Sequence, residues 1–400
     1  TTMTRKNSKS RDAGVKRRKP EKLEFVQPFL PVRDIQNGIV ETTDGRYVKI
    51  LEIEPINFML RSSEEQYNIL SSFASWLKIS PMKLQFKSIT RKADSDKHIA
   101  SIRRELSVEE NEQCRAMGED YIRLIKDVGS REALTRRFFL IFQYEAIGRN
   151  ESDDYSRIYS MLVSAEQSAR AYFLQCGNSI IQPKNPDHAV AEILYMFFNR
   201  RSCVEEPFTD RVNRVIVDAM TAQGKTVGVD PIPHIPVRHF IAPRGLDLTH
   251  SSYIIMDGRY YCFLYIKANG YPSTVRGGWM SSLINAGEGI DVDVHLSREN
   301  RSKTIDKVAQ RIRLNRTKLK GMQDTSTDYE ELANSIQAGY FIKHGIANHN
   351  EDLFYMSVFV TVSAKTHEEL LWRKQRMIDM LKSMDMYLSE CRFQQEAALR

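Results

Sequence analysis

Four hundred residues at 42% hydrophobic content are enough for two or three domains with real cores. No window approaches the ~18 consecutive apolar residues of a membrane span, and the basic N-terminus lacks the apolar stretch of a secretory signal. The five cysteines (Cys114, Cys176, Cys203, Cys262, Cys391) are scattered and form no CxxC pair, which reads as reduced thiols in a cytoplasmic protein.

Residues 1–22 hold nine Lys/Arg against two Asp/Glu, which is the whole of the net charge of +7. The rest of the chain balances to zero. This segment, centred on Lys16, Arg17, Arg18 and Lys19, is nearly free of apolar residues and reads as a disordered basic arm. Such an arm suits anionic lipid or nucleic acid, or is a plain solvated leader.

From residue 23 the periodicity predicts a first α+β unit, 23–182. Asp44-Gly45-Arg46-Tyr47 sits between the apolar runs 38–43 and 48–53 and predicts a hairpin with φ > 0 at a two-residue turn. Ser62-Ser63-Glu64-Glu65 is a capping box, followed by a helix with Leu70, Phe73, Ala74 and Leu77 as its apolar stripe. Met82, Leu84, Phe86 and Ser88 alternate with Lys83, Gln85 and Lys87, which predicts a half-buried strand with a solvated polar face. A charged helical stretch covers 94–128. A strongly apolar strand, 138–144, precedes an amphipathic helix over 152–175 with Tyr155, Ile158, Leu162, Ala165 and Ala169 on one face. Gly177 stops that helix, and 178–182 is a short last strand.

Residues 183–250 read as a connector, helical first and then rich in proline (Pro231, Pro233, Pro236, Pro243). The second unit, 251–400, repeats the first. Asp257-Gly258-Arg259-Tyr260 again sits between apolar runs. A helix over 275–285, a strand over 290–296, a charged helical insert over 300–345 and a strand over 353–362 follow. Thr366-His367-Glu368-Glu369 caps a helix carrying Leu370, Met377, Leu381 and Met384, and 386–393 closes the unit. Without the inserts each unit is β-α-β-β-α-β. The predicted fold class is therefore α+β: two tandem ferredoxin-like units with helical insertions, joined by the connector.

Phe25-Val26-Gln27-Pro28-Phe29-Leu30-Pro31-Val32, Gly38-Ile39-Val40, the Asp-Gly hairpin, the stretch 136–144 and the ending Phe393-Gln394-Gln395-Glu396-Ala397-Ala398-Leu399-Arg400 resemble conjugation ATPases of type IV secretion systems. The similarity is to the VirB-type channel ATPases of Gram-positive mobile elements. It implies the region that precedes the motor, with a RecA-like ATPase expected after Arg400. It also implies a place at the cytoplasmic face of the mating channel, peripheral to the inner membrane. The implied partners are other secretion-channel subunits, further copies of the chain, and anionic lipid through the arm. ATP and Mg are implied only for the motor.

The residues fit a non-catalytic region. Gly224-Lys225-Thr226 has Ala219 where a P-loop needs its first glycine, and a helix precedes it, so it reads as a helix end. No cofactor site is expected within the 400 residues. Asp291, Asp293 and His295 alternate along one strand and share a sheet face, which makes them a candidate divalent-metal set. A solvated face is the plainer reading. His344 and His349 flank a loop without further ligand spacing. Lys303, Arg311, Arg313, Arg316, Lys318 and Lys320 give one predicted helix a basic face, a candidate contact for anionic lipid or nucleic acid. Phe138, Phe139 and Phe142 lie in a very apolar run and read as core, not as a stacking platform. The expected function is a docking and assembly module. A nucleic-acid-binding module for the transferred strand is the alternative.

Overall fold

The computed structural model describes residues 29–81, 83–92, 95–109, 111–131, 134–144, 155–272, 275–321 and 327–399. The basic arm, Lys16 to Lys19 included, lies outside the described residues.

In the first unit β1 (Val32–Gln36) and β2 (Ile39–Thr42) lead into β3 (Tyr47–Glu54), α1 (Ser63–Ile79) and β4 (Lys83–Lys92). The helices α2 (Ser95–Leu106) and α3 (Glu112–Arg131) form the insert, followed by β5 (Leu134–Gln143), α4 (Tyr155–Gln175) and β6 (Ser179–Ile180). The connector holds α5 (Pro186–Phe198), α6 (Ser202–Glu205), α7 (Phe208–Ala222), α8 (Val237–Ile241) and β7 (Leu246–Asp247). In the second unit β8 (Ile254–Met256), β9 (Arg259–Ile266), α9 (Met280–Ile284) and β10 (Ile290–Arg298) precede the insert helices α10 (Arg301–Lys320) and α11 (Thr327–Asn348). Then come β11 (Phe354–Ala364), α12 (His367–Lys382), β12 (Leu388–Glu390) and α13 (Gln395–Leu399).

These strands form one antiparallel sheet in the order β1-β2-β3-β5-β4-β10-β11-β9-β8-β7, with β6 on β3 and β12 on β9. The order reads the same from either end. Each half is a ferredoxin-like unit, β6-β3-β5-β4 and β12-β9-β11-β10, extended outward by two strands, β2 and β1 in the first and β8 and β7 in the second. The pairing registers repeat too. In β3 the first residues pair with β2 and Ile53 and Glu54 with β6. In β9 the first residues pair with β8 and the last with β12. The duplication expected from the two Asp-Gly strings is thus a duplication of topology.

The halves meet at β4 and β10, paired from Val292–Ser88 through Ser297–Lys83. On one sheet face α1 and α4 cover a core with Trp76, Leu84, Leu140 and Phe142. On the same face α9 and α12 cover Leu264, Val292, Val360 and Leu370. Phe86 and Leu296, on the two seam strands, pack against both clusters. The opposite face is covered by the connector. Val190, Leu194, Tyr195, Phe198 and Ile241 share one cluster with Ile50, Ile89 and Phe139 of the first unit and Ile254, Tyr261 and Phe263 of the second. The connector is therefore a third layer of the fold, and its apolar helix α5 is what the sheet's second face requires.

Local signals explain most element ends. Ser62 Oγ accepts from the Glu65 backbone N–H while the Glu65 carboxylate accepts from that of Ser62, closing the predicted capping box. Gly177 (φ +78) and Gly224 (φ +67) sit just past α4 and α7. In both, the next N–H reaches back to the helix: Asn178 to the Phe173 carbonyl, and Lys225 to that of Met220. The Gly-Lys-Thr string is thus a helix terminus.

Three expectations are corrected. The buried face of α1 is Trp76, 1% exposed, with Phe73 and Leu77 partly buried, whereas Leu70 (58%) and Ala74 face outward. One residue of phase separates the readings, because Trp76 fills the core among Phe73, Phe86 and Phe173. The helix expected over 275–285 is only Met280–Ile284; it follows Gly277 and Gly278, the latter at φ +78. The two Asp-Gly hairpins also differ. Asp257 (φ +51) and Gly258 (φ +70) make a two-residue turn closed by Met256–Arg259. The first copy instead uses a longer loop, with Thr42 N–H donating to the Arg46 carbonyl and Gly45 alone at positive φ (+81). The two-residue turn of the first unit is Asn37-Gly38 (φ +54, +68), between β1 and β2.

Candidate functional site: the polar seam and the helical inserts

Asp291, Asp293 and His295 share one face of β10, as their spacing predicts. Pairing with β4 places Asp293 opposite Lys87 and His295 opposite Gln85. Lys87 Nζ donates to both Asp293 carboxylate oxygens, at 2.9 and 2.8 Å, and Gln85 Nε2 donates to Oδ1 at 2.7 Å. Asp291 Oδ1 accepts the Thr90 backbone N–H at 3.0 Å, and its Oδ2 accepts from Arg200 of the connector. Both carboxylates are buried, at 5% and 6% exposure. Burial pushes the Asp291 carboxyl upward, against the pull of Arg200 and Lys87. The Lys87 ammonium lies 5.4 Å from the Phe197 ring, and the His295 ring packs edge-on against Phe359.

This arrangement corrects the metal candidate. Each carboxylate already has a cation and an N–H partner, and among the described residues no group of three His, Cys, Asp or Glu is placed to hold a metal ion. It also corrects the solvated-face reading. The two alternating polar rows, Lys83/Gln85/Lys87 and Asp291/Asp293/His295, are the two sides of one joint. Arg200 adds a third side, so the charges lock the halves to each other and to the connector. Lys87 and Arg200 are the partners that single-strand reasoning missed. The opposed signs of the two rows were the available signal.

Asp257 adds a second lock. It is 3% exposed, and its carboxylate accepts the backbone N–H groups of Arg201 and Ser202 at 3.0 and 2.7 Å, with Ser202 Oγ at 2.5 Å. Asp44, its counterpart, is exposed and bonds only within its own loop, to Thr42 Oγ1 and Arg46. The duplicated string thus serves two ends. Asp257→Ala should cost about 2 kcal/mol in a urea titration, because two buried N–H groups lose their acceptor. Asp44→Ala should cost under about 0.5 kcal/mol.

The insert helices leave the sheet as two antiparallel pairs. On α10, Lys303, Arg311, Arg313, Arg316, Lys318 and Lys320 are all exposed, as is Lys307. The helix is held by Asn300, whose side chain caps Lys303 N–H, and by Ile312 packed against Gly339 of α11. Arg316 donates to Tyr340 Oη at 3.2 Å, and Lys307 lies 3.8 Å from Glu299. These cations are thus open to solvent and spread around the exposed half of α10. The imidazoles of His344 and His349 lie 5.0 Å apart, and no third ligand joins them among the described residues. Phe139 and Phe142 are buried, and Phe138 packs in the core beside them.

Among the described residues no helix is long and apolar enough to cross a membrane. No curated protein matches the chain. A family model described as the archaeal TraC-like domain matches residues 32–152, from β1 through β5 and its insert. The match covers under a third of the chain and points to a role related to conjugal transfer, which agrees with the coarse form of the resemblance drawn from the residues.

Proposed function

We propose that this chain is the docking and assembly module of a conjugation ATPase of the VirB type, making protein–protein contacts at the cytoplasmic face of the mating channel. The observation that carries the reading is the TraC-like match over the first unit, together with its topological repetition in the second. A duplicated sheet locked by buried ion pairs is a rigid platform. Two projecting helix pairs offer surface for partners on either side. In this reading the module contributes contacts, and ATP hydrolysis belongs to a motor unit with its own P-loop. The arm, residues 1–22, adds attraction to anionic lipid of about 1 kcal/mol per cation near the surface.

The test is a tagged pull-down of the chain, with and without residues 1–22, from nuclease-treated membranes of a donor cell. Recovery of membrane channel subunits by both forms is expected. Loss of every membrane partner contradicts the reading.

The exposed cations of α10 support a second reading, a nucleic-acid-binding module that handles the transferred strand. It requires oligonucleotide binding with a steep salt dependence that survives removal of residues 1–22 and falls in Lys303→Glu/Arg311→Glu.

A further inference from the structure

We propose that the cleft between α2 and α3 is a binding site for a phosphate group, held by Arg103, Arg115 and Arg123. The proposal goes beyond the docking reading and does not depend on it.

The starting point is what the two helices turn toward each other. Arg103 and Leu106 line the cleft from α2, at i and i+3. Arg115, Glu119, Ile122 and Arg123 line it from α3, at i, i+4, i+7 and i+8. Each set is one stripe of its helix, and paired helices ordinarily bury apolar side chains on such stripes. Around this cleft only Leu106 and Ile122 are apolar, with Leu106 packed against Gly118 at the crossing. The charged remainder is three guanidiniums against one carboxylate, around a volume of about 380 Å³. Small-molecule sites run from roughly 300 to 1,000 Å³, so the cleft suits a small anion with a short organic part.

The three cations come from two helices and repel one another unless an anion lies between them. The chain's own groups supply little of that charge. Arg103 has no carboxylate partner among the described residues. Arg115 Nη2 donates to the Glu109 backbone carbonyl at 2.6 Å, which fixes the side chain without neutralising it. Arg123 meets Asp120 at 3.2 Å, but the two side chains are 73% and 72% exposed, and such pairs hold weakly. Glu105, Glu109 and Glu112 do not line the cleft.

The second insert shows that this convergence is not a general feature of the fold's helix pairs. Its helices also cross at a glycine, Ile312 against Gly339. There Asn315 bonds to Ser335 and Arg316 to Tyr340 across the pair, and the other cations of α10 face solvent.

Guanidinium forks match phosphate oxygens two at a time, and a phosphate monoester carries about −1.5 to −2 charge at pH 7, close to the surplus in the cleft. Two sources carry this chemistry: a small soluble phosphate ester and the headgroup of an anionic phospholipid. Val108 and Met117, which adjoin Ser107 and Gly118 in the chain, are 80% and 74% exposed and would meet the apolar part of a lipid.

Titration of the full chain with inorganic phosphate, pyrophosphate and phosphatidylglycerol vesicles tests the site, read by calorimetry and amide exchange. At least one probe should bind saturably, one site per chain, and slow exchange in residues 103–107 and 115–123. Arg103→Gln/Arg115→Gln should weaken that binding about tenfold or more, through lost charged hydrogen bonds. Arg103→Lys/Arg115→Lys keeps the charge without the fork and should restore only part of it. The charge-matched Arg311→Gln/Arg313→Gln on α10 should change nothing. All of these arginines are exposed, so unchanged circular dichroism is expected throughout. Binding of phosphate or pyrophosphate assigns a soluble ligand. Vesicle binding alone, lost in Arg103→Gln/Arg115→Gln, assigns a headgroup. No saturable binding in the millimolar range overturns the proposal, as does an equal loss in the α10 control. Vesicle binding that falls only when residues 1–22 are removed also overturns it, in favour of the arm. Oligonucleotide binding through Arg103 and Arg115, with no response to the three probes, overturns it in favour of nucleic acid. The pull-down of membrane subunits stands or falls separately.

Discussion

Lys87→Met should lower the unfolding free energy by about 3 kcal/mol, and the double variant Lys87→Met/Asp293→Leu should recover most of the loss. The reason lies in the asymmetry of buried pairs. Asp293 is 6% exposed and is ion-paired with Lys87, with Gln85 as the remaining donor. Without the ammonium the carboxylate is a buried charge with a single neutral hydrogen bond, which is far worse than no charge at all. Removing both partners leaves a Met and a Leu facing each other beside Phe197 and Phe359, a setting that accepts them. Urea unfolding of the four proteins of the cycle gives the coupling energy. Equal losses in single and double variants would mean that the pair does not hold the seam.

Phe139→Ala should cost about 3–5 kcal/mol, the range for a large aromatic truncated in a close-packed core. Phe139 is fully buried on β5, and its ring meets Phe197 of the connector edge-on at 5.4 Å. It belongs to the cluster that joins both units through α5. The loss should therefore appear as one shifted cooperative transition, by fluorescence and by circular dichroism alike. A first transition that moves while a second stays fixed would mean that the two halves fold separately.

How much was legible in the sequence follows from the range of each signal. The capping box at Ser62, the glycine stops at Gly177 and Gly224, and the stripe Leu370, Met377 and Leu381 are decided within one or two turns, and the structure has them. The duplicated topology followed from two Asp-Gly strings and the order of elements. The Asn37-Gly38 turn carries the same local signal, but the apolar run 38–43 that follows masks it, because that run also reads as one strand starting at Gly38. The α1 stripe was misplaced because helical periodicity alone weighs Leu70 and Trp76 alike, and only the aromatic cluster beneath decides. The seam was beyond any single segment. Lys87 and Asp293 are 206 residues apart, and each row by itself has the look of a solvated face. Read together, the opposite signs at matching spacing mark a pairing. The role of Arg200 required the connector to fold back over the sheet, which its proline-rich second half disguises.

The account turns on the two halves being one body, joined strand to strand at β4 and β10. Amide hydrogen exchange of the full chain tests this directly. Backbone amides of Leu84, Phe86, Val292 and Val294 should exchange as slowly as those of Leu140 and Val360 in the centres of the two units, through the same global opening. Fast exchange on β4 and β10, with β5 and β11 still protected, would contradict the account and leave two separate units on a connector.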